Sequence, residues 1–161
     1  MVLVGEVPGD REDREGHPFV GPAGRELGQA LEAVGIERTQ VYITNAVKHF
    51  KFEERGKRRI HQKPSASEIK ACRPWLRAEL DAIQPEALVV LGATAAKTLL
   101  GNSFRLMAQR GEPLECDLAP IVVATIHPSA ILRGSDDESR RSQRDMFTED
   151  LRVAADALLA R

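Results

Sequence analysis

A short basic stretch near the middle of the chain combines positive charge with a possible nucleophile. KRRIHQ (57–62) places three consecutive cations just before His61. Lysine and arginine bind anions such as phosphate, and a neutral imidazole can act as a base or a nucleophile near pH 7, because the unperturbed histidine pKa is about 6.5. The stretch alone does not distinguish an exposed loop that attracts anions from a loop that carries His61 to a reacting atom. Other polar residues must show whether there is a site for His61 to complete.

The basic stretch belongs to a chain that is otherwise close to neutral. The 161 residues have a formal net charge of −1, whereas residues 48–63 contain seven cations and two carboxylates, a local charge of +5. Such a segment is more often a solvated loop, but it also fits a surface that contacts phosphates. Two cysteines do not make a disulfide framework, and the longest apolar runs are too short to span a bilayer. The first residues do not resemble a secretory signal, so we expect a cytoplasmic protein with no membrane anchor.

Four short apolar runs rich in β-branched residues predict buried strands. They are residues 1–5, 41–45, 87–92 and 120–126. Helical patterns lie between and after these runs, at residues 22–34, 65–83, 93–100 and about 138–160. Ser65, with Glu68 three residues later, predicts a capping box at the start of the second helix. Continuous apolar strands that alternate with helices are typical of a parallel sheet covered on both faces, so we predict an α/β fold and a single domain over residues 1–161.

Polar residues follow three of the predicted strands. Glu6 and Asp10 come after the first strand, Asn45 ends the second, and His127 follows the fourth. Because open parallel sheets bind ligands outside the carboxyl ends of their strands, we expect these residues to converge on one crevice with the basic stretch at its rim. Each residue alone also fits a structural role, such as a loop cap or a core histidine. The loop GEVPGD (5–10) matches neither nucleotide-binding glycine motif, and the polar set suits a polar heterocycle better.

Five motifs occur in order along the chain. They are GEVPGDREDREGHPFVGPAG (5–24), TNAVKHF (44–50), KRRIHQ (57–62), ACRPWL (71–76) and HPSAILR (127–133). Together they resemble the uracil-DNA glycosylase superfamily, and KRRIHQ is similar to the insertion that marks its UdgX-type members. The resemblance runs from Met1 to the final helix. It implies a three-layer α/β/α sandwich with a mostly parallel four-stranded sheet, a [4Fe–4S] cluster, and excision of uracil from DNA with formation of a covalent protein–DNA adduct.

The resemblance also gives roles to the residues of the expected crevice. Asn45 would recognise the edge of uracil, because an amide can donate and accept at once. Phe19 would stack on the base, although its alternative role is that of a core aromatic. His127 would donate to the uracil oxygen as the glycosidic bond breaks. His61 would then add to the sugar cation, with Glu6 orienting the imidazole and accepting its proton.

The loop that carries His61 would have its own supports. Lys57, Arg58 and Arg59 would hold it to phosphates or to the protein, and Asp10 and Asp13 are weaker candidates for supporting it. Asp10 is also a candidate catalytic residue, together with Glu6, His61 and His127.

Two departures from the family pattern affect these expectations. Position 7 is commonly glutamine in the family, whereas Val7 has no side-chain donor or acceptor, which leaves uracil contact or water placement there in question. The cluster ligands are also incomplete. His49 and Cys72 resemble the third and fourth ligands, but the first two belong to a Cys-x-x-Cys segment upstream of the first strand, so we expect that the chain is truncated or that its start is assigned too late. Two ligands do not hold a [4Fe–4S] cluster, which needs four.

We therefore predict a UdgX-like uracil-DNA glycosylase, a monomer that acts on uracil-containing, single-stranded DNA and cross-links itself to the site it creates. One alternative is a hydrolytic uracil-DNA glycosylase with multiple turnovers, which a denaturant-resistant protein–DNA species would exclude. The other is a non-catalytic DNA-binding module, which Val7 and the incomplete ligand set favour and which uracil release would exclude.

Overall fold

The centre of the molecule is a parallel four-stranded sheet. A computed structural model describes all 161 residues. Its strands are β1 (Val2–Gly5), β2 (Tyr42–Asn45), β3 (Phe52–Arg55), β4 (Arg58–His61), β5 (Ala87–Leu91) and β6 (Ile121–Thr125). The central sheet has the order β2-β1-β5-β6, and all of its pairings are parallel. Every residue of β1, β5 and β6 is buried, as the continuous apolar runs predict for a sheet covered on both faces.

Helices cover the two faces of the sheet and make three layers. They are α1 (Asp10–Glu15), α2 (Pro22–Ala33), α3 (Ala66–Ile83), α4 (Ala93–Leu100), α5 (Leu106–Gln109), α6 (Ser129–Leu132) and α7 (Asp137–Leu159). One apolar cluster joins alternate strand residues to α2, α6 and α7, and a second joins the intervening strand residues to α3 and α4. The predicted α/β/α sandwich is therefore confirmed. None of the helices combines the length and apolar character that a membrane span requires.

The capping box predicted at the start of α3 is present. The Ser65 hydroxyl accepts from the Glu68 backbone N–H at 3.3 Å, and the Glu68 carboxylate accepts from the Ser65 N–H at 2.6 Å. These two bonds satisfy backbone donors that the first turn of a helix leaves free. The helix after the basic stretch therefore begins at the position expected.

The basic stretch forms a β-hairpin, so the expectation of a loop was wrong. Strands β3 and β4 pair antiparallel in a separate two-stranded sheet, with Phe52 opposite His61, and Gly56 supplies a left-handed turn at φ +61°. All but one of the eight strand residues are exposed, because neither face packs on the core. The sequence lacks the alternation of polar and apolar residues that indicates a half-buried strand.

A buried ion pair ties the carboxyl end of β6 to α7. Thr125, the last residue of β6, donates to the Asp150 carboxylate at 2.5 Å, and Arg110 donates to both oxygens of that carboxylate at 2.6 and 2.8 Å. Asp150 is only 2% exposed. Burial raises the pKa of Asp150, and the bonds from Thr125 and Arg110 oppose that rise. This network fixes the strand end that leads directly into His127.

Candidate active site at the carboxyl edge of the sheet

The candidate base-recognition residue, Asn45, lies beside Gly5 at the end of β2. The two residues are register partners across β1 and β2. A Cβ atom on Gly5 would lie 2.5 Å from Asn45 Oδ1 and 2.7 Å from the Phe19 ring, so only glycine allows both side chains to close over this position. Asn45 is 7% exposed, and its Oδ1 is buried with no hydrogen-bond partner. Because a buried acceptor without a partner is costly and uncommon, an external N–H donor would complete this site.

Phe19 forms an aromatic wall of the same site. Its side chain is 6% exposed, and its ring centroid lies 5.5 Å from that of His127 with an interplanar angle of 31°. Phe19 adopts φ +54°, the left-handed region that side chains other than glycine and asparagine rarely occupy. The residue that forms this wall is therefore held in an unfavourable backbone conformation.

His127 is held as one tautomer by residues of its own motif. The backbone N–H of Ser129 donates to His127 Nδ1 at 3.1 Å, and the Ser129 hydroxyl lies 2.8 Å from the same nitrogen. A backbone N–H can only donate, so Nδ1 is an acceptor and the proton of the neutral ring lies on Nε2. Arg133 donates to the Ser129 oxygen at 2.9 Å, which leaves the hydroxyl hydrogen free to point at Nδ1. His127 can therefore donate through Nε2 while remaining uncharged.

Burial and neighbouring charge keep His127 neutral. Desolvation, followed by the charges of Arg133 and His61, lowers the pKa of His127 from 6.5 to about 4. At pH 7 the ring is therefore an uncharged donor rather than an imidazolium. His61 lies on the hairpin with its ring centroid 6.1 Å from that of Phe50, which follows Asn45 by five residues.

Arg59 fastens the hairpin to the body of the protein. Its guanidinium donates to Asp10 at 2.5 Å and to Asp13 at 2.7 Å. The guanidinium carbon also lies 5.1 Å from the ring centroid of Phe50 and 4.8 Å from that of Phe52, within cation–π range. The sequence allowed Arg59 to hold either phosphates or the protein, and the structure places it on the protein.

Three of the other six cations in residues 48–63 are also paired within the chain. Lys48 pairs with Glu79, Lys51 with Glu68 at 3.0 Å, and Arg55 with Glu53 at 3.4 Å. Three cations of the segment form no ion pair: Lys57, Arg58 and Lys63. The local charge of +5 therefore overstates the number of cations available to an external polyanion.

The loop after β1 places Glu6, Val7 and Asp10 at the same edge. Glu6 and Val7 are half-buried, and the Glu6 carbonyl accepts from the backbone N–H of Val47 at 2.9 Å. Glu6 forms no hydrogen bond or ion pair with His61. The structure thus brings both residues to one edge without the direct contact that the sequence analysis expects between them.

The two cluster-ligand candidates lie next to each other, with no third metal-binding side chain beside them. His49 Nδ1 is 3.8 Å from Cys72 Sγ, and the Lys48 backbone N–H donates to the same sulfur at 3.4 Å. They line a groove of about 690 Å³ beside α3, next to the exposed Trp75. No third cysteine, histidine, aspartate or glutamate joins them to make a metal site. The two candidates are half of the four ligands that a [4Fe–4S] cluster needs.

Several residues that shape the site were missed from the sequence. Ser129 and Arg133 fall within the quoted motif HPSAILR. Their spacing of four residues, just after His127, could have predicted that the two side chains contact each other on one turn of a helix. Glu12 bridges the ends of the segment that carries Phe19, because its carboxylate accepts from the backbone N–H groups of Gly9 at 3.1 Å and Gly21 at 2.7 Å. No sequence pattern distinguishes this glutamate from a helix-surface carboxylate.

The chain is similar to known proteins over most of its length. Residues 1–152 match the model of the uracil DNA glycosylase superfamily. The chain is 39% identical over 142 residues to a type-4 uracil-DNA glycosylase of Thermotoga maritima, which covers 88% of this chain and 70% of that protein. It is 39% identical over 140 residues to the type-4 enzyme of Sulfurisphaera tokodaii (82% and 60%) and 35% identical over 144 residues to that of Pyrobaculum aerophilum (83% and 68%). The chain thus spans 60% to 70% of the length of these relatives. By family model, by relatives and by fold, the chain belongs to the uracil-DNA glycosylase superfamily.

Proposed function

We propose that this protein removes uracil from DNA by hydrolysing the N-glycosidic bond. The observation that carries the proposal is the buried Oδ1 of Asn45, which has no partner within the protein and lies beside the Phe19 ring. Uracil presents an N–H donor next to a carbonyl acceptor, which matches the oxygen and nitrogen of an amide. Cytosine has an unprotonated ring nitrogen there and would leave Oδ1 facing an acceptor, a penalty that selects against it. The names of the type-4 relatives support the same activity.

Neutral His127 would assist departure of the base. As the bond to the sugar stretches, negative charge develops on the uracil ring and positive charge on the sugar. The Nε2–H of His127 would donate to a uracil oxygen, and one such preorganised donor contributes about 3 kcal/mol to transition-state stabilisation. The bond to Ser129 keeps the proton on Nε2 throughout, so the ring donates a hydrogen bond without transferring its proton.

A water molecule would then complete hydrolysis by adding to the sugar cation. Glu6, in the loop after β1, is the acidic candidate to orient that water and accept its proton. The neighbouring Val7 can do neither. Asp10, which the sequence analysis also proposes as catalytic, is bonded to Arg59 and to Arg14, so we propose a structural role for it in holding the hairpin.

The test is a turnover count on a uracil-containing oligonucleotide. With DNA in tenfold excess over protein, hydrolysis predicts free uracil well beyond one equivalent per protein molecule, and no protein–DNA band that survives boiling in detergent. Uracil release that stops at one equivalent together with such a band would contradict hydrolysis. Binding of the oligonucleotide without any uracil release would instead leave a DNA-binding module.

A second candidate outcome is covalent capture of the sugar by His61. The observation that favours it is the placement of His61 on a hairpin that Arg59 fastens to Asp10 and Asp13, in the segment that follows β1. In this reaction the imidazole forms the new bond to the anomeric carbon in place of water, and it loses its proton to a base. The variant His61→Ala should then lose the detergent-resistant band and still release uracil, whereas a band that persists would exclude His61 as the nucleophile.

The substrate form and the cluster are part of the same proposal. Single-stranded DNA is the expected substrate, because an unpaired uracil reaches a pocket without the energy needed to extrude it from a duplex.

A [4Fe–4S] cluster bound through His49 and Cys72 would need two ligands that these 161 residues do not place beside them. Iron analysis of an anaerobic preparation tests this: iron at four equivalents in this chain would contradict the ligand assignment.

A further inference from the structure

The segment that carries Phe19 is fixed from two directions. Glu12 closes its ends by accepting from Gly9, which precedes α1, and from Gly21, which precedes α2, so residues 9–21 form a closed segment. Within that segment, Phe19 is one of only two non-glycine residues in the chain with positive φ, the other being Gln84 at the end of α3. Gln84 follows a helix, where left-handed residues are common, but Phe19 lies in the candidate site. Its conformation therefore needs a specific cause.

Hydrogen bonds from Arg38 supply a cause for the positive φ of Phe19. Its Nη2 donates to the carbonyl oxygens of Pro18 and Phe19, at 3.1 and 2.9 Å. These two carbonyls belong to the peptide groups on either side of the Phe19 Cα, so their convergence on one nitrogen restrains the backbone angles of Phe19. Arg38 is exposed as a residue, yet burial of its guanidinium lowers the pKa of that group, as expected when the charged end is inserted against backbone. A charged donor to a carbonyl is also stronger than a neutral one.

The first turn of α2 closes the other side of the Phe19 peptide. A Cβ atom at Gly24 would lie 1.8 Å from the Phe19 carbonyl oxygen, which is an impossible contact. The carbonyl is therefore confined between Gly24 and Arg38, and its position sets the direction of the Phe19 ring toward Gly5 and His127. Strained backbone of this kind persists only where the surrounding structure determines it.

We propose that Arg38 is a positioning residue that holds Phe19 in its left-handed conformation and thereby sets the aromatic wall against which the target base lies. The hydrogen bonds of Arg38 go to the Pro18 and Phe19 carbonyls and not to His127, and Arg38 belongs to a short 3₁₀ turn, Arg38–Gln40, just before β2. The structural part of this inference stands on the contacts alone. Its catalytic part rests on the proposed function.

A backbone measurement tests the structural part without any activity. In a left-handed residue the amide and α hydrogens are unusually close, so Phe19 of the parent should give a strong intraresidue nuclear Overhauser effect between them. Arg38→Gln should weaken this effect, and Arg38→Lys, which keeps a charged donor, should weaken it less. Arg152→Gln is the matched control, because Arg152 also donates to a backbone carbonyl, that of Ala33 at 3.5 Å, away from the site. An unchanged signal in Arg38→Gln would overturn the proposal.

A double-mutant cycle tests the catalytic part. Arg38→Gln should lower kcat/KM for uracil release about tenfold, because small displacements of positioning groups are costly in catalysis. In the Phe19→Ala background the same change should have less than about a twofold effect, since residues that act through one another are not additive. Equal effects in both backgrounds, with thermal unfolding unchanged, would overturn the proposal. If the parent releases no uracil while the backbone signal responds as expected, the proposed function fails and the positioning of Phe19 by Arg38 stands.

Discussion

Individual residues at the carboxyl edge divide the proposed reaction between recognition and bond breaking. Asn45 offers an unpartnered acceptor, and His127 offers a neutral donor whose tautomer is set by Ser129. Asn45 ends β2 and His127 follows β6, the two edge strands of the sheet, and Phe19 lies beside both residues. They share one edge because a parallel sheet aligns the carboxyl ends of its strands. Changes at these positions should therefore affect uracil release with little effect on the fold.

Replacement of Asn45 by aspartate tests recognition. Asn45→Asp keeps the size of the side chain but removes the amide donor and places a carboxylate against the base carbonyl. Uracil release under single-turnover conditions should fall about tenfold or more, because loss of a specific buried contact costs about 1–3 kcal/mol. Asn102→Asp, in the exposed turn after α4, is the control and should leave the rate unchanged. A parental rate in Asn45→Asp would show that the amide does not read the base.

The low pKa of His127 predicts a window of pH-dependent stability. The folded chain takes up this proton only near pH 4, whereas the unfolded chain takes it up near 6.5. Between these values the unfolded state binds more protons, so stability falls as the pH falls, by at most about 3 kcal/mol at 1.36 kcal/mol per pKa unit. Urea unfolding at pH 7.5 and 4.5 should show a smaller loss in His127→Gln than in the parent.

Histidine at another position provides the comparison for that measurement. His17 is exposed, so its replacement removes no buried histidine. Between pH 7.5 and 4.5, His17→Gln should therefore lose as much stability as the parent protein loses. If His127→Gln and His17→Gln behaved alike, the buried neutral state of His127 would be refuted.

The sequence identified the residues of the site better than it identified their neighbours. Asn45 and His127 follow apolar strands, so the parallel-sheet rule places them at one edge without coordinates. Arg38 could not be found this way, because it binds the backbone carbonyls of residues about twenty positions earlier. Every residue has a backbone carbonyl, so no residue type indicates such a contact. The partner of Arg59 was equally hidden, since choosing between Asp10 and a phosphate requires knowing that the hairpin folds back onto α1.

At the scale of secondary-structure elements, the core was predictable and the hairpin was not. Strands β1, β5 and β6 are buried on both faces, as their continuous apolar runs predict. In residues 52–61, polar side chains occupy both faces, and the hairpin is held by a single arginine and two phenylalanine rings rather than by a core. Such long-range contacts lie outside any local pattern.

Removal of the Arg59 side chain should release the hairpin selectively. Arg59→Gln breaks the bonds to Asp10 and Asp13, so the backbone amides of β3 and β4 should exchange with deuterium faster, while those of β1 and β5 should not change. The control is Arg55→Gln in the same hairpin, since its pair with Glu53 is exposed and contributes little. Unchanged protection of β3 and β4 in Arg59→Gln would show that another contact fastens the hairpin.

At the scale of the whole molecule, the distribution of unpaired charge matters more than its total. A chain of net charge −1 has little general attraction for DNA, so binding must come from a local surface. Because Lys48, Lys51 and Arg59 are neutralised by internal partners, the hairpin tip with Lys57 and Arg58 is the candidate surface. Each cation that contacts a phosphate releases a counterion and adds to the salt dependence of binding.

The hairpin tip should therefore control how binding responds to salt. The double variant Lys57→Ala/Arg58→Ala should bind a uracil-containing oligonucleotide more weakly and should lower the slope of log Kd against log salt by about 1 to 2, since each phosphate contact contributes about 0.7 to 0.9. The control Arg77→Ala/Arg152→Ala removes two cations near the opposite end of the sheet and should leave the slope unchanged. An unaltered slope in the first variant would place the DNA-binding surface elsewhere.

The hairpin also leaves and rejoins the body of the protein at one point. Phe52 and His61 face each other at its base, and the Gln62 backbone N–H donates to the Lys51 carbonyl at 2.8 Å just below. An ancestral chain could therefore gain or lose residues 52–61 in one genetic event without altering strand order, the Asn45 pocket or His127. In the reactions proposed here, such an event would add or remove the imidazole that competes with water for the sugar cation, and it would leave the residues proposed to break the bond in place.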